Sequence, residues 1–387
     1  MSKWLPLTLA LALMGQWFGV HHLAGDEALV VALAAGAGIF GAALALSWAA
    51  EVAQLDIPAA LAFAFLAFVA VLPEYAVDIY FAWQAGTDPT YVSYATANMT
   101  GANRILIGVG WPVVVLAYWW RSSNNHIELS RGQNSELRYL LFATVYSFVI
   151  PLKGTLSVVD TVILSTLFLA YVATVARSEV IEPELGGPAE QLGRLAPLPR
   201  RLATVFLFAA AGVTIFAAAE PFAEALLEVG AETGIEKFVL VQWLAPLASE
   251  TPEFIVAIIF ALKLKPQAAF ATLLSSKVNQ WTLLIGALPV AFSLSAGEIG
   301  PLVLDQRQTQ EILLTAAQSL FAVVLICRRR FSAAQAGVLA VLFTIQLLWP
   351  DPLVRRAFIV VYLAGAVVLG LGATRRKALG ALVLGRA

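Results

Sequence analysis

The sequence predicts an all-α polytopic membrane protein of about 12 transmembrane helices, arranged as two inverted five-helix repeats with one extra helix at each end. Three observations predict it. Of 387 residues, 60% are hydrophobic and only 13% charged, against a charged share of roughly 25% in soluble domains. The apolar residues gather into runs of the length a helix needs to cross a bilayer. A Pro-Glu pair recurs inside such a run in each half, at Pro73-Glu74 and Pro252-Glu253, 179 residues apart.

In order, the runs lie near 4–20, 28–50, 57–84, 90–120, 136–152, 155–177, 200–228, 237–263, 267–294, 309–327, 331–349 and 354–373. Several exceed a straight crossing, as tilted or broken helices do. The first has Lys3 ahead of an apolar core, as a signal peptide would. However, the bulky Met14-Gly15-Gln16-Trp17-Phe18 and the lack of a small-x-small site before Asp26 favour a retained span. With the N-terminus on one side, seventeen loop Lys and Arg residues fall on that side. Only Lys153, Lys237, Arg307, Arg355 and Arg356 fall on the other. The positive-inside rule then places both termini in the cytoplasm; the plasma (inner) membrane is the expected location.

The expected division is an extra helix in 1–27, a first repeat in 28–177, a linker in 178–199, a second repeat in 200–349, and a helix and tail in 350–387. Glycines and prolines make the linker read as a flexible cytoplasmic tether. Five spans per repeat is an odd number, so the halves insert in opposite senses, the usual plan of an alternating-access transporter.

Proline removes a backbone donor and frees carbonyls on the preceding turn, so each Pro-Glu span should break into half-helices. Broken spans at matching places in two halves point to a transporter's binding site. Within the spans the ionisable residues are Glu74, Asp78, Arg104, Glu250, Glu253 and Lys277, with Asp160, Glu220 and Glu224 nearer an interface. Asp78 follows Glu74 by four and Glu253 follows Glu250 by three, so each pair shares a helix face. Carboxylates, freed carbonyls and hydroxyls are the ligands of hard cations such as Ca²⁺ and Na⁺. The competing reading has Arg104 and Lys277 neutralising the acids as structural ion pairs.

This arrangement resembles the cation/calcium exchanger superfamily, the sodium/calcium exchangers and their relatives. That family carries two inverted repeats, each with Gly-Thr-Ser-x-Pro-Glu and, in the next helix, Gly-Asn-x-x-Gly-Ser-Asn. Here Ser249-Glu250 stands for Thr-Ser and Pro252-Glu253 matches outright, whereas in the first half Ala70-Val71 replaces Thr-Ser before Pro73-Glu74. In the second motif, Ala97-Asn98 to Gly101-Ala102-Asn103 matches with alanine for serine, and Leu106 takes the last ligand position. Thr272, Ser275-Ser276-Lys277 and Gln280 fill the corresponding places in the second half, and five extra residues separate the motifs of the first.

The resemblance implies a secondary-active antiporter exchanging Ca²⁺ against Na⁺ or H⁺, with Glu74 and Glu253 as central ligands. Glu250, Ser249, Ser276, Gln280, Asn98 and Asn103 would be their partners; Asp78, Arg104 and Lys277 would modulate the charge. It implies no cofactor; inorganic cations and the bilayer are the expected partners. The thinned ligand set keeps a sodium/proton antiporter in view, and ion-paired acids would suit a non-transporting relative of the same fold.

Other chemistries find less support. Hydrolysis within the membrane would need a nucleophile and base or a metal motif, and no histidine lies inside a span. His21, His22 and His126 are too few for a metal site, and Lys277 lacks any sign of a Schiff-base role. The single Cys327 should be inert. Trp4, Trp119, Trp120 and Trp349 read as interface anchors, and Gly36, Gly38 and Gly41 as points of close helix approach.

Overall fold

Prolines, glycines and hydroxyl residues set the helix boundaries. The structure, a computed structural model, describes residues 4–23, 27–56, 72–130, 132–177 and 185–385. The first half contains α1 (Leu5–Leu23), α2 (Ala28–Ala53), α3 (Leu72–Gln84), α4 (Tyr91–Ser122), β1 (His126–Glu128), α5 (Asn134–Ser147), α6 (Val149–Lys153), β2 (Thr155–Leu156) and α7 (Val158–Val175). After α8 (Pro188–Gly193) come α9 (Pro197–Thr233), α10 (Lys237–Leu262), α11 (Pro266–Ala296), β3 (Leu302–Val303), α12 (Gln306–Ile326), β4 (Arg330–Ser332), α13 (Ala333–Leu348), α14 (Pro352–Leu371) and α15 (Ala373–Leu384).

Local chemistry explains the starts and stops. Proline opens α8, α9, α11 and α14, where its missing N–H goes unused. Asp305 caps α12 by accepting from the Gln308 N–H at 2.7 Å, while the Gln308 side chain accepts from the Asp305 N–H at 3.0 Å. Ser332 and Gln335 form the same box ahead of α13. Gly234 and Gly297 end α9 and α11 at φ 72° and 73°, a left-handed conformation that costs glycine little.

Seven helices among the described residues are long and apolar enough to cross a bilayer, and α10 makes an eighth although it is bent by 53° between Lys237–Thr251 and Glu253–Leu262. The remaining expected spans are shorter or divided, or fall partly outside the described residues. The expected span at 136–152 is two helices, α5 and α6, and α1 and α13 are short apolar helices. The expected span at 57–84 falls partly outside the described residues. Large apolar side chains such as Leu202, Val205, Phe206, Val213 and Phe216 on α9 lie exposed, as a lipid-facing surface requires.

The chain forms two compact units that interleave in sequence: Met1–Phe81 with Val172–Glu253, and Ala82–Tyr171 with Phe254–Ala387. In the first unit, α2 packs against α1 and α9. The glycines of α2 permit this approach: a Cβ on Gly41 would meet the Ala10 carbonyl at 2.6 Å, and one on Gly36 would meet Phe222 at 3.0 Å. The described part of the linker, residues 185–199, departs from a flexible tether. Pro188, Ala189 and Leu192 of α8 are buried, α8 packs on α2, and the Gly186 N–H donates to Glu51 at 2.9 Å. Burying the apolar side of a short helix repays the ordering of this stretch.

In the second unit, α12 lies against α4, α5 and α14. Two minimal antiparallel ladders depart from a purely helical expectation. β1 pairs with β4, His126 opposite Ser332, and β2 pairs with β3, Thr155 opposite Val303. Each pair joins a loop of the first half to a loop of the second, in reciprocal fashion. The strand after α4 meets the strand before α13, and the strand after α11 meets the strand before α7.

Candidate functional site

The carboxylates and Ser249 all belong to the first unit. Glu74 follows Pro73 at the start of the described part of α3. Glu74 is only 2% exposed and Asp78, one turn on, is fully buried. An ionised carboxylate in hydrocarbon costs about 3 kcal/mol on insertion scales, so a fold that buries two on one helix uses them. Nearby, the Tyr80 hydroxyl donates to Glu224 at 2.6 Å. Ala70 and Val71, the other half of this motif, lie outside the described residues.

In α10 the missing N–H of Pro252 leaves the Ala248 carbonyl without its helical donor, and the 53° bend falls there, as expected from the sequence. Glu250 is buried just before the bend, and Glu253 is half-buried just after it. The Ser249 hydroxyl donates to the carbonyls of Ala245 and Pro246, both at 3.3 Å, which leaves its lone pairs available to a cation.

The amides and the two basic residues belong to the second unit. Asn98 is 1% exposed, and among the described residues neither polar atom of its side chain has a hydrogen-bond partner. Asn103 donates to the Met99 carbonyl at 2.8 Å. Lys277 donates to both the side-chain oxygen and the carbonyl of Asn103, at 2.5 Å and 3.2 Å, and its ammonium lies 4.4 Å from the centre of the Trp281 ring. Ser276 is buried and accepts from the Gln280 side chain at 3.4 Å. Both motif helices pass into a π-helical turn just beyond these residues, at Leu106–Gly110 and Gln280–Leu284. Such turns disturb the regular carbonyl–amide ladder and often mark functional sites.

Among the described residues no three or more His, Cys, Asp or Glu side chains are grouped to hold a metal ion. His126 instead contacts Arg330 and Glu128 along the β1–β4 ladder, while the side chains of His21 and His22 lie outside the described residues. Cys327 is buried at the end of α12.

Sequence reasoning missed Glu311 and misplaced Arg355. Read as a loop residue, Arg355 is buried in the first turn of α14, 2.8 Å from Glu311, and Glu311 also meets Arg104 at 2.6 Å. The only available signal was a glutamate inside an apolar run. Asp160 is likewise structural: at the start of α7 it accepts from Ser157 and from the Tyr146 hydroxyl at 2.7 Å, and pairs with Lys153.

A family model described as sodium/calcium exchanger protein matches residues 27–177 and again 203–350. The crystal structure of the H⁺/Ca²⁺ exchanger CAX is 41% identical with a TM-score of 0.95, over 99% of this chain and 97% of that one. The Ca²⁺/H⁺ antiporter protein YfkE has a TM-score of 0.65 at 14% identity, over 92% of this chain and 99% of that one. The sodium-calcium exchanger NCX_Mj has a TM-score of 0.54 at 14% identity, over 87% and 98%. At 14% identity the likeness is one of fold alone. No curated protein matches the sequence. These relatives are transporters, not enzymes, and the chain belongs to the sodium/calcium exchanger family of integral membrane proteins.

Proposed function

We propose that the chain is a secondary-active antiporter that exchanges Ca²⁺ against a monovalent cation by alternating access, with Glu74 and Glu253 as central ligands. Glu250, Ser249, Ser276, Gln280, Asn98 and Asn103 complete the ligand set, and Asp78, Arg104 and Lys277 set its charge. The observation that carries this reading is the pair of buried carboxylates Glu74 and Asp78, one turn apart on one apolar helix.

Protons, rather than sodium, are the proposed counter-ion. The 41% identical relative is an H⁺/Ca²⁺ exchanger. In addition, the Lys277 ammonium donates to two oxygens of Asn103 and so sets a fixed positive charge beside that ligand, which disfavours an additional sodium ion. The reading in which Arg104 only neutralises the Pro-Glu acids is weakened by its ion pair with Glu311, a residue outside that set.

The proposed topology has twelve spans, two inverted repeats at 28–177 and 200–349, and both termini in the cytoplasm of a plasma (inner) membrane protein. The strand pairs support it. β1 and β4 adjoin Arg121, Arg131 and Arg328–Arg330, which the charge count puts on one side; β2 and β3 adjoin Lys153 and Arg307, which it puts on the other. Paired strands must share a side, so they support an even number of spans between each pair of loops, as the count has it.

The test is uptake of radiolabelled Ca²⁺ and Na⁺ into proteoliposomes under imposed H⁺ or Na⁺ gradients. Ca²⁺ uptake driven by an outward H⁺ gradient is expected. Sodium uptake driven by protons with no Ca²⁺ movement would establish the monovalent antiporter instead. Silence under every gradient would overturn the transport reading.

A further inference from the structure

Glu311 is 3% exposed, and each of its carboxylate oxygens meets a different guanidinium: Oε2 faces Arg104 at 2.6 Å and Oε1 faces Arg355 at 2.8 Å. Arg104 is on α4, directly after Asn103 and within the motif that carries Asn98. Arg355 is on α14, a helix that begins after the family-matched residues end, and it also donates to Gln310 at 3.1 Å. Arg307, one turn before Glu311, feels the charges of all three. Two guanidiniums thus share one carboxylate with a third charge one turn away, a formal total of +2 beside the amides of the candidate site.

We infer that Glu311 is a positioning residue for cation binding: a counter-ion shared between α4 and α14 whose charge sets the potential at Asn98 and Asn103. The inference rests on the proposed role of those amides as cation ligands. A buried charge acts over a long range because little solvent screens it. The energy of a cation in a changed potential is proportional to the cation's own charge. A divalent ion therefore responds with the square of the fold-change that a monovalent ion shows. A residue that merely holds helices together has no such dependence on valence. The C-terminal extra helix, through Arg355, becomes part of the machinery that sets affinity.

The test compares Glu311→Gln, which raises the formal charge of the cluster, with Arg355→Gln, which lowers it. In proteoliposomes, Glu311→Gln should raise the Ca²⁺ KM by about tenfold or more, as one uncompensated charge at this depth implies. Arg355→Gln should lower it. In titrations followed by tryptophan fluorescence, the shift for Na⁺ or Li⁺ should be about the square root of the shift for Ca²⁺. Opposite signs for the two variants support the inference. Equal losses of maximal rate with an unchanged Ca²⁺ KM would overturn it, as would shifts that ignore valence. If Glu311→Gln does not fold, Arg355→Gln alone decides by the sign of its shift. A wild-type protein that moves no Ca²⁺ refutes the proposed function and takes this inference with it; an active wild type with unmoved variants refutes the inference alone.

Discussion

Residues 103 and 277 stand 174 positions apart at the same place in two similarly built helices, and one is an asparagine while the other is a lysine. Each is followed after three residues by a π-helical turn, at Leu106–Gly110 and at Gln280–Leu284. The backbone is repeated; the chemistry is not. The lysine of the second helix donates into the oxygens that the asparagine of the first presents. The contrast teaches that a structural repeat need only preserve helix breaks, packing and strand pairing. The side chains at equivalent places are free to become donor and acceptor.

The largest effect expected tests the part of the repeat that stays chemically alike. Glu74→Gln and Glu253→Gln should each cut Ca²⁺ transport by about 100-fold or more, equivalent to about 3 kcal/mol at 1.4 kcal/mol per decade. Proteoliposome uptake checks this; a loss in only one variant would show that the halves are unequal here too. Lys277→Asn would make the two motif helices alike at this place. It should introduce Na⁺-gradient-driven Ca²⁺ uptake where the wild type shows none, and an unchanged coupling ion and stoichiometry would exclude a role for the ammonium in coupling.

Next comes the bend. Pro252→Ala returns a donor to the Ala248 carbonyl, and should leave helix content intact while lowering turnover by about tenfold. Strained functional sites commonly trade stability for activity in this way, and circular dichroism with uptake assays would separate the two. Gly41→Ala tests the close packing of the first unit. Its Cβ would meet the Ala10 carbonyl at 2.6 Å, so a loss of about 1–3 kcal/mol is expected from overpacking, seen as a lower Tm.

The smallest effect concerns Asp56, at the end of α2, held by Arg200 at 2.8 Å and by Arg201 at 2.9 Å. Its hydrogen bond to Arg200 and the neighbouring positive charges lower its pKa to about 2. A carboxylate with a depressed pKa stabilises the fold above its unfolded pKa, near 4, and loses that contribution as the pH falls through the folded value. The Tm difference between wild type and Asp56→Asn should therefore be steady from neutral pH to about pH 4 and close between about 4 and 2.

Much of this was legible in the chain. The second Pro-Glu pair announced the bend at Pro252, because proline's missing donor acts locally; the break expected at the first lies outside the described residues. The glycines of α2 announced close approach for the same kind of reason: a missing Cβ matters wherever the helix packs. The chain's loops were less legible. The linker looked flexible from its glycines and prolines, yet Pro188, Ala189 and Leu192 are buried, since three such residues show no pattern until α2 is there to cover them.

Composition, run length and the spacing of prolines suffice for the membrane class, the helical repeats and the acidic residues worth watching, because these depend on near neighbours in sequence. Folding alone supplied the partners of the charges. Arg104 meets Glu311 across 207 residues and Lys277 meets Asn103 across 174. Arg355 was read as a loop cation until the packing of α14 against α12 enclosed it. Ion pairs form wherever packing brings opposite charges together in a medium that screens them poorly, and separation along the chain carries no trace of that.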